Sequence, residues 1–479
     1  MTIAYQTRKR KQQESLLINS SLILSFILCI VVVWLGYTKF QGIETNTGGD
    51  YPTFPLNSTG QLIQIFIGTL YFVVNLLYII WLLQPQRSYF YQPINFSTIL
   101  KLSFPFLLLG FIAYPLGNDI YLYLHYGSMG LNGLNPFIHR AGSFRSEFYE
   151  FLRWRQSSTY GPVSMFFFAT SAAVAPFSKL LAIYLFKGFC LAAHLLNGYL
   201  IFRLLKKDAY TERVTLAYLC NPLILFEQVG SAHVDVFVCT TFLLLIFCFK
   251  YKSYLLGVLT VWLGFMAKTL PILWLPLIAA FLIQQRRWLS LLLMVMTSLG
   301  IIGLLTVTVL PTPESWQSLL NPGVESHTAA SIHRILFTYL GYLPNLSTKL
   351  RLDIISKFKL VTLALFGLYY FVTLVQIALQ RRYSVNSLGL EIGWVSLILM
   401  LIATPWLMPW YASILLPIAA LNLDERKFVS ATLAFCLSST AYYMLLSTGV
   451  FQSWFIVGLP CLALGVNIFL PKSKRYVVY

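Results

Sequence analysis

The sequence is poor in charge. Only 10% of its 479 residues are Asp, Glu, Lys or Arg, while 58% are hydrophobic, which leaves too little polar surface to cover a soluble globule of this size. A soluble enzyme is thereby excluded, and an all-α, polytopic membrane protein is expected. Acid is scarcer still, with 16 Asp and Glu against 34 Lys and Arg and a net charge of +18. No basic tract is long enough to argue for a nucleic-acid partner, so the excess is assigned to cytoplasmic loops. The 7 cysteines show neither CxxC nor Cys/His spacing, and no disulfide framework or zinc site is called for. Internal repeats, a soluble stretch and low-complexity tails are also missing, so one membrane domain over residues 1–479 is expected.

What is present is a succession of apolar runs. The first, Leu16 to Thr38, follows the basic RKRKQ segment, is as long as a crossing and has no small-residue cleavage pattern behind it, so it reads as a retained span. Later runs include Val214 to Val229, Leu270 to Ile283, Leu388 to Ile402 and Trp410 to Leu421. Loop charge sorts the faces. Arg8 to Lys11, Arg87, Arg203, Lys206, Lys207, Arg213, Lys250, Lys252, Arg286, Arg287, Arg381, Arg382, Arg426, Lys427, Lys472, Lys474 and Arg475 fall on one side only if a run between Tyr160 and Leu204 fails to cross. Pro162 to Phe177 is short and bounded by prolines, so it reads as a re-entrant or half-span helix. About 14 spans remain, with re-entrant and juxtamembrane helices on the outer face and both termini cytoplasmic.

The chain is organised around GNDIYLYLHYGSMGLNGLNPF, Gly117 to Phe137, inside an outer loop over residues 115–160. In a helix starting near Asn118, Asp119, Tyr123 and Tyr126 fall at i, i+4 and i+7, so one carboxylate and two phenols share a face. Tyr121 and His125 share the neighbouring face. Gly127, Gly130 and Gly133 are expected to break that helix and turn the backbone towards Asp119. Two roles fit Asp119 equally from these residues, a helix cap and a site carboxylate.

Outer-face cations depart from the charge trend and mark further candidates: Arg140, Arg145, Arg153, Arg155, Lys268 and Arg334. Arginine presents paired donors to phosphate oxygens and lysine a point charge, which suits a phosphate-bearing lipid. Charge-rule exemption of long loops, and snorkelling of Lys268, explain them without function. His233 and Asp235 suit a cation or a sugar hydroxyl, or simply a wet turn. With His327 and His333 far along the chain, metal is the lesser reading, although a divalent cation is left open. Glu227 is costly inside an apolar run unless it lies at the interface. Trp406, Trp410 and Tyr411 suit an interfacial belt or a wall for a sugar ring or lipid chain.

Five motifs then occur in order: GNDIYLYLHYG with NPF, STYGP, CNPLILFEQVGSAHVD, AKTLPILWLP and TPWLMPWY. Together, from about Asp119 to Leu421, they resemble the polyprenol-phosphate-mannose-dependent mannosyltransferases of the GT-C superfamily. The resemblance implies an α-mannosyltransferase-like enzyme in a bacterial plasma membrane. Its donor would be a polyprenyl-phosphate-linked sugar, its acceptor a glycan or glycolipid, and membrane lipids its surroundings. By position, Asp119 would be the catalytic carboxylate, Lys268 a donor-phosphate contact, and Tyr160, Gly161 and Pro162 the entry to the half-span helix. Where relatives often have His-Asn-Asp, this chain has His233, Val234, Asp235, which leaves the role of that turn open. The chemistry agrees with the inventory, since one base suffices for inverting displacement and a phosphate leaving group needs cations rather than an acid. A lipid-linked oligosaccharide ligase or polymerase is the runner-up. A secondary transporter, which would show matched halves, fits less well.

Overall fold

A computed structural model describes residues 2–44, 58–84, 95–115, 117–206, 208, 210–320, 328–380, 383–445 and 448–469. His327 and the loop cations Arg87, Lys207, Arg381, Arg382, Lys472, Lys474 and Arg475 lie outside the described residues. The first half comprises α1 (Thr2–Glu44), α2 (Ser58–Leu83), α3 (Phe96–Ile112), α4 (Asp119–Leu131), α5 (Pro162–Ala172), α6 (Lys179–Leu204), α7 (Thr211–Leu219), a π-helical turn (Ile224–Gly230), α8 (Asp235–Lys250), α9 (Tyr254–Ala267) and α10 (Trp274–Gln284). The second comprises α11 (Trp288–Thr308), α12 (Pro313–Leu320), α13 (Ile332–Gly341), α14 (Thr348–Leu379), α15 (Val385–Ile398), α16 (Leu416–Leu421), α17 (Arg426–Thr440) and α18 (Val450–Phe469). The chain is all-helical, and the described residues contain no strand beyond a single bridge between Ala329 and Trp406.

Among the described residues, six helices are long and apolar enough to cross a membrane, or seven if the π turn and α8, bent by 108°, form one span. This is fewer than the sequence suggests, because several apolar runs are broken. The run Val214 to Val229 stops as an α-helix at Leu219 and resumes beyond Asn221-Pro222 as the π turn, since proline cannot donate and disfavours helix before it. Pro271 likewise puts a 3-10 turn (Leu270–Leu273) ahead of α10. Helix α5 has 11 residues, about 16 Å at 1.5 Å per residue, half of a hydrocarbon core of ~30 Å.

Helix α4 differs from a loop helix in being wrapped by protein on every side, with each residue from Ile120 to Met129 buried. The expected break at Gly127 and Gly130 does not occur, and the helix runs through both. Gly127 serves close packing instead, since a Cβ there would stand 2.3 Å from the Phe168 carbonyl oxygen of α5. Gly133, at φ +75°, takes the left-handed conformation that ends the turn beyond α4. Behind α4, the buried Lys187 of α6 donates to the Ala113 carbonyl, which anchors the end of α3 where the outer loop begins.

Candidate active site

The motifs separated in sequence meet at the start of α4. Asn118 occupies the cap and Asp119 is the first helical residue, so Asp119 is not the capping side chain. It faces a wall made by the break before α8, the entry to α5, the turn after α9 and the turn Pro409–Leu415. That break turns because Ala232 adopts a left-handed conformation, φ +58°, while the His233 amide donates to the Glu227 carbonyl at 3.2 Å. The entry to α5 is fixed against the turn after α9. Gly161 N–H donates to the Ala267 carbonyl (3.4 Å), and so does Ser164 Oγ (2.9 Å). A Cβ at Gly161 would lie 2.3 Å from the Met266 carbonyl oxygen, so STYGP and AKTLP can dock only with glycine there.

Within the wall, the His233 ring stacks on Trp410, with centroids 3.6 Å apart and planes at 15°. Its Nδ1 lies 3.9 Å from Asp119 Oδ2 and its Nε2 lies 3.6 Å from Glu227 Oε2. Tyr123, stacked on Phe168, places its hydroxyl 3.2 Å from that of Tyr160 and 3.5 Å from His233 Nδ1. Lys268 Nζ grips both oxygens of the fully buried Asp235, at 2.8 and 2.9 Å, and sits 4.4 Å over the Tyr411 ring. An ammonium has three donors; two are committed to Asp235, and the side chain keeps 18% exposure.

Asp119 stands apart from its neighbours. Its side chain is 23% exposed and makes no hydrogen bond among the described residues. Burial pushes its carboxyl up to about 6, against the pull of Lys268; Asp235 adds to the rise and Arg153 opposes it. A carboxyl held near 6 is ionised at neutral pH and still basic enough to take a proton.

The other candidates have other partners. Tyr126 donates to the Gln156 carbonyl at 2.9 Å. Arg145 and Arg155 lie over the Tyr149 ring at 5.3 and 5.5 Å, and Arg140 is exposed. Trp406 packs edge-on against Trp154, and Arg334 lies over Phe337. His125 clamps the outer loop through Ser146 Oγ (2.7 Å) and the Ala141 carbonyl (2.9 Å). His333 pairs with Thr362 of α14, and among the described residues no group of three or more His, Cys, Asp or Glu is arranged to hold a metal ion. Sequence reasoning passed over Tyr71 and Tyr443, whose phenols flank Glu227. They come from α2 and the turn after α17, and nothing in their local sequence ties them to Asp119.

Residues 25–284 match the family model of the alpha-(1->6)-mannopyranosyltransferase N-terminal domain, 260 of 479 residues and so more than half of the chain. The chain belongs to that family. This mannosyltransferase is therefore a glycosyltransferase, in keeping with the GT-C resemblance of its motifs. No curated protein and no solved structure matches the chain significantly. The matched part of the mannosyltransferase carries Asp119, Tyr123, Tyr160, Glu227, His233, Asp235 and Lys268, whereas Trp410 and Tyr411 lie beyond it.

Proposed function

We propose that the protein moves mannose, with inversion, from a polyprenyl-phosphate donor to a hydroxyl of an extracytoplasmic glycan or glycolipid, with Asp119 as general base. The family description suggests an alpha-(1->6) linkage. The carrying observation is the state of Asp119, partly exposed, without a hydrogen-bonded cation and held near 6. The donor phosphate approaches the third donor of Lys268 and the charge of Arg153, which disperse the negative charge developing on the leaving phosphate. The Tyr411 and Trp410 rings wall the sugar. Asp119 then takes the acceptor proton as the bond to phosphate breaks, and a single base is enough for inversion.

The same reading places the enzyme in a bacterial plasma membrane, with both termini cytoplasmic and about 14 crossings. That count enlists the shorter apolar helices, such as Phe96–Ile112, Tyr254–Ala267 and Val450–Val466. The chain is treated as one domain because packing joins its halves. Gln64 donates to the Tyr443 carbonyl (2.9 Å) and Gln228 to Ser413 Oγ (2.7 Å).

Asp119→Asn tests the assignment in liposomes supplied with polyprenyl-phosphate-mannose. Transfer falls on the order of 100-fold or more while donor binding and the thermal melt survive, the usual scale for loss of a general base. Near-normal turnover in the folded Asn variant would falsify the base assignment.

A further inference from the structure

Behind Asp119 lies a second carboxyl for which the transfer chemistry has no use. Glu227 is 1% exposed, on a π turn among the buried Ile224, Leu225, Phe226 and Val229. Neither of its carboxyl oxygens, nor His233 Nε2, has a partner at full hydrogen-bond geometry among the described residues, although the phenols of Tyr71 and Tyr443 stand close enough to donate to the carboxyl. The groups facing the pair are the phenols of Tyr71 and Tyr443, the carboxyls of Asp119 and Asp235, the ring of Trp410 and, on the His233 side, the ammonium of Lys268 and the Tyr123 hydroxyl. That hydroxyl lies 3.5 Å from Nδ1 and donates its own proton to Tyr160, so it too accepts from hydrogen on Nδ1. A buried polar group without a partner costs on the order of 1–3 kcal/mol, so one that persists beside a site calls for an explanation.

Proton counting supplies it. Two carboxyls flank one imidazole, and a neutral imidazole has a single N–H, so it can serve only one of them as donor. The other must bring its own proton. Asp119 is the partly exposed one, with Lys268 and Arg153 acting on it, and it holds the negative charge. Glu227 is fully enclosed; the phenols beside it can donate to it but carry no charge, and no cation acts on it, so a charge there would lack a counter-ion. The gaps of 3.6 and 3.9 Å exceed hydrogen-bond lengths, and catalytic hydrogen bonds reach their short lengths only when substrate is bound.

We propose that Glu227 is a positioning residue for Asp119, acting through His233. Its carboxylic O–H donates a hydrogen bond to Nε2 and keeps its proton, which fixes the neutral tautomer with hydrogen on Nδ1, and that hydrogen holds the Asp119 carboxylate in line with the acceptor hydroxyl. The stack on Trp410 keeps the ring plane in place. The inference rests on Asp119 being the base.

The experiment compares Glu227→Leu and Glu227→Gln with the parent, reading kcat and KM for polyprenyl-phosphate-mannose and the pH profile of kcat/KM. Leucine fills the volume but cannot donate. It lowers kcat about 10-fold with little change in KM, and it moves the acid limb to higher pH, because Asp119 loses a donor that favours its charged form. Glutamine, whose amide still donates to Nε2, restores both. Parent-like kcat and pH limb in Glu227→Leu overturn the relay, and a filler role for Glu227 predicts that result. Glu227→Gln gives a second check should the leucine variant misfold. If Glu227 were ionised, removing its charge would shift the acid limb to lower pH, and that shift also overturns the proposal. The base assignment fails separately, by an active Asp119→Asn, whereas inactive Asp119→Asn with unperturbed Glu227→Leu removes the relay alone.

Discussion

Asp119 and Asp235 are the same residue type at the same site, and the structure treats them in opposite ways. Asp235 is fully buried and gripped by both oxygens in a 2.8 and 2.9 Å pair with Lys268. Asp119 is 23% exposed and feels Lys268 only at a distance. The difference assigns their roles: a carboxylate with its lone pairs occupied by an ammonium is a poor base, whereas one pushed up to about 6 by burial is a competent one. Asp235 holds Lys268 over Tyr411, and the fold thereby keeps a cation at an apolar face.

The largest effect on this comparison comes from breaking the pair. Lys268→Ala leaves Asp235 buried without a counter-ion, and removal of one partner from a buried pair costs about 3–5 kcal/mol. Because Lys268 keeps 18% exposure, the lower end of that range is expected, measured as a fall in the thermal melt. Joint replacement of both residues, Lys268→Met with Asp235→Leu, recovers much of the loss, because no unpaired charge remains. The double variant still has a raised KM for the lipid donor, the signature of a contact made in both ground and transition states. A Lys268→Ala protein with unchanged melt and unchanged donor kinetics would contradict both the structural pair and the phosphate role.

Next in size is the pH dependence of Asp119. A general base works in its ionised form, so kcat/KM rises with pH and is half-maximal near 6. Stability runs the other way. The folded value, about 6, lies above the ordinary 3.8, so between these values the folded state binds more protons than the unfolded state, and stability falls as pH rises through the window. Asp119→Asn removes this penalty and melts no lower than the parent at pH 7. A flat activity profile between pH 5 and 7, or an Asn variant that melts lower, would count against the environment described for Asp119.

Part of this was legible in the sequence. The start of α4, the shared face of Asp119 and Tyr123, and the order of the five motifs follow from spacing and punctuation alone. The pairing of Asp235 with Lys268 does not, because the residues are 33 positions apart and it is the packing of α8 on α9 that sets the first residue of one helix beside the cap of the other. The number of crossings was also obscured, since apolar length cannot tell a straight span from one broken at Asn221-Pro222 or Pro271. Glycine was misread where its use is tertiary: Gly127 looks like a helix breaker in sequence and is a contact point for the α5 backbone. Helices α12 and α13 were hidden because an apolar-run reading overlooks short amphipathic segments.

The smallest effect concerns the loop arginines, which sequence alone could not rank. Arg153 and Arg155 are neighbours in the chain and both exposed, but only Arg153 acts on Asp119, lowering its pKa, while Arg155 lies over Tyr149. Removing a positive charge that favours the carboxylate raises the pH at which Asp119 ionises. Arg153→Ala therefore moves the acid limb of kcat/KM to higher pH by on the order of a few tenths of a unit, the scale of a Coulomb interaction screened by solvent. Raised salt in the assay shrinks the shift further. Arg155→Ala leaves the limb in place and lowers stability by on the order of 0.5 kcal/mol, the value of an exposed cation–π contact. Equal shifts in the two variants would mean that the loop acts on Asp119 through its total charge, and that Arg153 has no special place beside the base.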